Sequence, residues 1–343
     1  EGMYTKALNS WYYSNIALTG LQGYDRHGRA MYGTAPNTPV LKSTRSLVLN
    51  VSNQDRDYSY QLTAGLTRKY RNNFEGSAFY TYSQVFDVMN LTSSTAASQY
   101  KFGQPLGYTP QGNIAEQKLG HSVFEQPHRI IATGSYTFQK TGTTVSMIYK
   151  GEAGQHFQYA VSSGSGDLNG DGQLNDLMYI PSNVRDSNEV IFVATSSLTI
   201  AQQQDAFESF INSHSCLKKQ VGKIMERGSC SEPFHHKIDL SLRQNLGKLG
   251  LERALNAPVM NNVTLHWDVF NLANLINAKW GAQEFSGSGT IDSPLVYNSK
   301  ETGSMIGPTG ARAKSTFNPA YLFSNRQNFS SIYQMQVSVR YSF

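Results

Sequence analysis

The C-terminal residues alternate without a break. Met335, Val337, Val339, Tyr341 and Phe343 project one way, and Gln334, Gln336, Ser338, Arg340 and Ser342 the other. Side chains along a strand point alternately to opposite faces, so this segment has one apolar and one polar face. The same period recurs upstream. In 57–70, Tyr58, Tyr60, Leu62, Ala64 and Leu66 oppose Gln61, Thr63 and Thr67; in 74–88, Phe74, Ala78, Tyr80 and Tyr82 oppose Glu75, Ser77, Thr81 and Ser83. Segments 128–139, 142–151, 235–246 and 261–271 alternate likewise, and a partial strand lies near 2–8. With 331–343 the pattern predicts about eight strands and an all-β fold.

The connections between these strands are lopsided. Those at 70–73, 140–142 and, somewhat longer, 247–260 are short, whereas 9–56, 89–126, 152–234 and 272–330 are long. Walking back from the C-terminus, short and long alternate strictly. Outer-membrane barrels have this parity, with short periplasmic turns and long outer loops. The strand-like run Ser46-Leu47-Val48-Leu49-Asn50-Val51 lies inside the first long connection, and the parity holds only if it forms a hairpin outside the main sheet.

Composition agrees with strands as the membrane-crossing element. Hydrophobic residues make up 39% of the 343-residue chain, and no run approaches the apolar length of a membrane helix. Aromatic residues reach 12%, a level that suits a barrel with aromatic girdles. The net charge of +5 is spread along the chain with no dense basic stripe, so nucleic acid is not an expected partner. Arg129, Asp239, Arg243 and Asp268 fall on the polar faces. Arg on a lipid face would cost about 2–4 kcal/mol at the midplane, so these charges are assigned to the lumen. The chain opens on Glu1-Gly2-Met3 without a basic, apolar leader. Export of a barrel implies either that a leader has been removed or that the chain is a piece of a longer one.

The long connections carry the chemical motifs. Asp167, Asn169 and Asp171 place oxygen donors at positions one, three and five of a loop with Gly172 at six, as in the opening of an EF-type calcium loop. Gln173 offers a backbone carbonyl at position seven. Position twelve is Met178 rather than a bidentate Glu, and Asp176 is the available substitute. Two readings are open, a structural Ca²⁺ or a hydrogen-bonded turn without metal. Cys216 and Cys230 are spaced for one loop-closing disulfide in an oxidising compartment, the alternative being two free thiols. Segment 199–214 reads as a short helix capped by Thr199, with Phe207, Phe210 and Ile211 on one face. The stretch 282–315 is rich in Gly, Ser, Thr and Pro and reads as loop. No nucleophile elbow or phosphate loop is present, and no catalytic residue is assigned; the chain is not expected to be an enzyme.

Several of these motifs together resemble Oar-like TonB-dependent outer-membrane receptors. The resemblance rests on Asp167-Leu168-Asn169-Gly170-Asp171-Gly172 running into Asn175-Asp176-Leu177-Met178-Tyr179-Ile180-Pro181, and on Arg227-Gly228-Ser229-Cys230-Ser231-Glu232-Pro233-Phe234 leading into a strand. It rests also on Trp267-Asp268-Val269-Phe270-Asn271-Leu272-Ala273-Asn274 followed by Lys279-Trp280-Gly281, on Tyr4-Thr5-Lys6-Ala7-Leu8-Asn9, and on Asp25-Arg26-His27-Gly28-Arg29. The final Val337, Val339, Tyr341 and Phe343 are similar to the signal read by the barrel-assembly machinery. The resemblance runs from end to end. It implies that residues 1–343 are the C-terminal part of a 22-stranded barrel whose plug and TonB box are not in this chain. It also implies an outer-membrane location, a lipid bilayer partner, the TonB–ExbB–ExbD complex acting through that plug, and solute uptake at outer loops whose binding residues are not identified. Two rivals are a small self-contained barrel acting as an adhesin or secretion-related surface protein, and a secreted calcium-braced β-module. Small residues on the polar faces (Ser77, Ser83, Thr133, Ser135, Ser241) argue against the first, since a narrow barrel fills its lumen with side chains.

Overall fold

Alternating segments of this kind gather their apolar residues on one face only by pairing in register. In the computed structural model, which describes residues 1–33, 47–70, 73–91, 94–97, 119–163, 167–171, 176–285, 291–317, 324–325 and 331–343, all eight expected strands form. They are β1 (Gly2–Lys6), β2 (Tyr58–Tyr70), β3 (Phe74–Asp87), β4 (His128–Phe138), β5 (Thr143–Glu152), β6 (His235–Asn245), β7 (Val263–Phe270) and β8 (Gln334–Tyr341). They pair in sequence order and always antiparallel. Among the described residues β1 and β8 do not pair with each other, so the sheet has two edges. The protein is mostly β, and no described helix is long and apolar enough to cross a membrane.

The register aligns every apolar face on one side. One row of directly opposed residues runs Tyr70, Phe74, Tyr136, Val145, Leu242, Trp267 and Val337 across β2 to β8. One residue along, the next row runs Lys69, Glu75, Ser135, Ser146, Ser241, Asp268 and Gln336. A slip of one residue in any strand would exchange the two faces. Hydroxyl pairs lace the polar side, Thr63 to Thr81 at 3.0 Å, Ser77 to Thr133 at 2.7 Å, Ser135 to Ser146 at 2.9 Å and Thr137 to Thr144 at 3.0 Å. Also on that side, Phe79 lies over Gly65, where a Cβ would come within 2.1 Å of the ring. An aromatic ring over a strand glycine replaces the packing the glycine lacks. The apolar side is bare: Leu66 is 71% exposed and Val339 68%, and no second sheet among the described residues covers them.

At the other end of the strands the long connections fold into a cap with its own core. A five-stranded sheet in the order Ile191–Phe192, Ala313–Phe317, Ile291–Lys300, His156–Ser163 and Cys230–Ser231 draws strands from two different connections. Its buried residues include Phe157, Tyr159, Leu295, Tyr297 and Phe317. The reading of 282–315 as loop is therefore corrected. Polar composition masks the strands Ile291–Lys300 and Ala313–Phe317, which pair with each other and, on their outer sides, with the distant His156–Ser163 and Ile191–Phe192. Helix α1 (Ile200–Ser213) forms where expected, with Thr199 and Gln202 making a reciprocal capping box. It sets Phe207 and Phe210 against Phe317, with Phe207 also on Phe192. The first long connection contains a separate hairpin, Ser10–Asn15 with Leu49–Gln54, outside the main sheet as the parity requires.

Phe207 is fully buried among three other rings. Phe207→Ala is expected to destabilise the cap by about 3–5 kcal/mol, the cost of emptying an aromatic core site. Denaturant unfolding followed by limited proteolysis of the 176–234 region checks it, and a loss under 1 kcal/mol would show that the helix is not part of the cap core.

Candidate functional site

The motifs singled out in the sequence gather in the cap and along its seam with the main sheet. In the Asp167 turn, Asp167 Oδ1 accepts from the N–H groups of Asn169 at 3.1 Å and Gly170 at 2.7 Å, and Asn169 Oδ1 accepts from the Asp171 N–H at 2.9 Å. The Asn169 carbonyl accepts from Tyr32 N–H at 2.7 Å, docking the turn on a segment some 140 residues upstream. Gly170 has φ +79° and would drive a Cβ to 2.4 Å from the Gly33 nitrogen, so this position needs glycine on two counts. Asp176 Oδ2 accepts from Leu168 N–H at 2.8 Å, while its Oδ1 faces the Arg29 guanidinium at 3.3 Å. Arg29 also donates to the Leu177 carbonyl at 2.6 Å and receives support from Asp25.

The five residues assigned to calcium are thus placed unevenly. Asp167, Asn169, Asp171 and Asp176 are all buried in one turn, whereas Gln173 lies outside the described residues. Sequence reasoning did not join this turn to Asp25 and Arg29, because nothing local links residues so far apart in the chain. Beside Arg29, Tyr179 and Tyr297 is a partly open pocket of about 60 Å³, room for ordered water rather than for a solute, whose sites run to about 300 Å³ and more.

The seam between cap and sheet is held by buried polar groups. Arg227, 5% exposed, reaches from the cap to the end of β3, where it pairs with Asp87 at 2.6 Å and donates to the carbonyls of Val88 and Gly120 at 3.0 Å each. Cys216 and Cys230 are joined in a disulfide with Cα atoms 5.2 Å apart. Next to Cys230, the pair Cys230–Ser231 lies against His156–Phe157. Here His121, Glu125 and His156 meet. His121 Nδ1 is 2.9 Å from Glu125 Oε2, His156 Nε2 is 2.9 Å from Glu125 Oε1, and the two imidazoles stack at 4.5 Å. Val85 N–H also donates to Glu125 Oε2 at 2.9 Å. Burial alone would push the Glu125 carboxyl up, but hydrogen bonds from His121, His156 and Val85 outweigh it and bring its pKa down to about 2. This trio was not singled out in the sequence. The His121–Glu125 spacing fits a helix face, but both residues lie in a connection, and His156 comes from the far side of β4 and β5.

At the opposite end of the sheet, Val337, Val339 and Tyr341 lie on the apolar face of β8, the last strand, and Phe343 is fully exposed beyond it.

Arg227→Ala would leave the Asp87 carboxylate buried without its counter-ion and is expected to cost about 3–5 kcal/mol. Faster hydrogen exchange at 86–88 and 120–122, with unchanged exchange in β6 and β7, is the predicted signature; unchanged exchange at both places would show that the contact does not hold the seam. A C216S/C230S variant should lose about 3 kcal/mol of cap stability. Reductant should reproduce that loss in the parent and do nothing to the variant.

Among known proteins, no family model, no curated protein and no solved structure matches the chain.

Proposed function

We propose that this chain is the C-terminal wall and outer cap of a TonB-dependent outer-membrane receptor of the Oar-like type. In this reading β1 to β8 are an arc of a larger barrel, and further strands pair with the two sheet edges. The observation that carries it is the registered alternation of an apolar row with a polar row across seven strands, with the short turns and the chain end together on one rim. Three features support it. The apolar face lies bare, as a lipid-facing wall would and a soluble sandwich face would not. Tyr60, Tyr80, Tyr82 and Tyr149 ring the cap end of that face, with Tyr80 bonded to His128 and Tyr149 to His236 at 2.8 Å each, while Tyr70, Phe74, Tyr136 and Tyr341 ring the other, as aromatic girdles do. The row that starts at the turn end of β2 reaches the middle of β8, so the strands are staggered as tilted barrel strands are.

The hydroxyl-laced face then lines a lumen filled by a plug from elsewhere, and the cap contacts solute on the outer surface. TonB, ExbB and ExbD energise entry through the plug, and the chain's own residues do no covalent chemistry. The Asp167 turn braces the cap, whether through its own hydrogen bonds and Arg29 or with a bound Ca²⁺. A second reading, an outer-membrane barrel displaying an adhesive or secretion-related surface, draws on the cap itself, which is a module with its own hydrophobic core.

Paired substitutions on one strand test the membrane reading. Met147, on the bare face, and Ser146, on the laced face, are adjacent in β5. Expressed in the outer membrane, Met147→Arg should lose about 2–4 kcal/mol of insertion energy and its heat-modifiable band in detergent gels, while Ser146→Arg should keep that band. Equal tolerance of both, in a protein recovered from the soluble fraction, would sink the proposal. Energised accumulation of a solute, abolished by uncoupler, would favour the receptor over the adhesin; its absence with intact surface adhesion would favour the reverse.

A further inference from the structure

We propose that His121, Glu125 and His156 form a binding site for a borderline divalent cation of the Zn²⁺ class, clamping the cap to the wall. Each residue turns one ligand atom inward, and these atoms lie within 4.8 Å of one another. No other trio of His, Cys, Asp or Glu side chains among the described residues converges in this way, the carboxylates of Asp167, Asp171 and Asp176 included. Two imidazoles and one carboxylate suit Zn²⁺, Cu²⁺, Ni²⁺ or Fe²⁺; Ca²⁺ and Mg²⁺ prefer all-oxygen shells.

The distances are those of a site that closes with small movements. Ligands about 2.0–2.2 Å from a tetrahedral ion sit roughly 3.3 Å from each other. The nitrogens now stand 2.9 Å from the two Glu125 oxygens and all the ligand atoms lie within 4.8 Å, so the nitrogen–oxygen pairs part by a few tenths of an ångström and the widest gap closes by about 1.5 Å through side-chain rotation to admit the ion. Neutral imidazoles need only exchange tautomers, moving the ring proton from the nitrogen that faces Glu125 to the other one. For His156 that other nitrogen, Nδ1, has a partner in Ser231 Oγ at 3.3 Å. Outer hydrogen bonds of this kind orient metal-binding histidines. Val85 N–H fixes the carboxylate. Phe86, 4.8 Å from the His121 ring, and the His121–His156 stack restrict the imidazoles. Glu125 and His156 are buried, but the His121 side chain is 32% exposed and gives an ion an entry path and water a fourth coordination position.

The placement gives the ion a mechanical role. His121 and Glu125 belong to the connection between β3 and β4, and His156 to the strand that leaves β5 for the cap. One ion would therefore link two connections across the seam beside the Arg227–Asp87 pair. The inference does not depend on closure of the sheet into a barrel or on any transported solute.

The test uses the full chain in detergent, stripped with chelator, then titrated with Zn²⁺ by calorimetry and with Co²⁺ by visible absorption. One equivalent of Zn²⁺ should bind saturably. Co²⁺ should give the intense bands of a four-coordinate site, and Zn²⁺ should bleach them. The double variant H121N/H156N should lose both signals, and His266→Asn, on the polar face of β7, should keep them. Ser231→Ala should weaken Zn²⁺ by about 10–100-fold, as loss of an outer-shell partner does, and serves as the deciding variant if the double variant does not fold. Absence of saturable binding, or parental affinity in H121N/H156N or in Ser231→Ala, would overturn the proposal.

Discussion

Register is the constraint on which the molecule depends. Eight strands, each apolar on one side, offer a single continuous apolar surface only if every neighbouring pair is locked to the residue, and the hydroxyl pairs of the polar face help to lock them. Thr63 with Thr81 and Ser77 with Thr133 are directly opposed partners, so their hydrogen bonds exist in one register and vanish in the next. Phe79 over Gly65 works in the same way, since a shift would put the ring against a side chain. The polar face therefore helps to specify the apolar one. The order of the strands follows from the short turns, and the position of the cap from the long connections that all leave the same rim.

The wall was legible in the sequence because its information is local. A period of two survives in single segments such as 128–139 and 331–343, and the parity of the connections needs only their lengths. Thr199 as helix cap and the two closely spaced cysteines were legible for the same reason, as were the residues of the Asp167 turn. The cap as a whole was not. Ile291–Lys300 pairs in parallel with His156–Ser163, far away in the chain, and carries Ser, Asn and Pro where a local reading looks for alternation. Its strand character comes from its neighbours. The seam failed for a related reason: Arg227 and Asp87 stand at single points in two different segments and signal each other through no motif.

Buried charge marks the places where distant segments meet. Arg29 joins the Asp25 turn to Asp176, and Arg227 joins the cap to the last residue of β3. The His121–Glu125–His156 trio does the same between two connections. Such contacts are costly to form in a poor dielectric and costly to break once one partner is removed. They add directionality to a cap whose aromatic core alone would tolerate several arrangements. The segments of the Asp25, Asp167 and Arg227 motifs, separate in the chain, thus become parts of one construction.

The interleaving of the cap sheet also fixes an order of events. Ala313–Phe317 sits between Ile191–Phe192 and Ile291–Lys300, so Phe317 completes a core begun more than a hundred residues earlier. Contacts at such separations carry a loop-closure cost that local hairpins do not. The hairpins of β2 with β3 and β4 with β5 need only segments adjacent in the chain, but the cap needs almost its entire length. A chain truncated between Glu152 and Phe317 would retain every strand of those two hairpins and lose the strand that completes the cap.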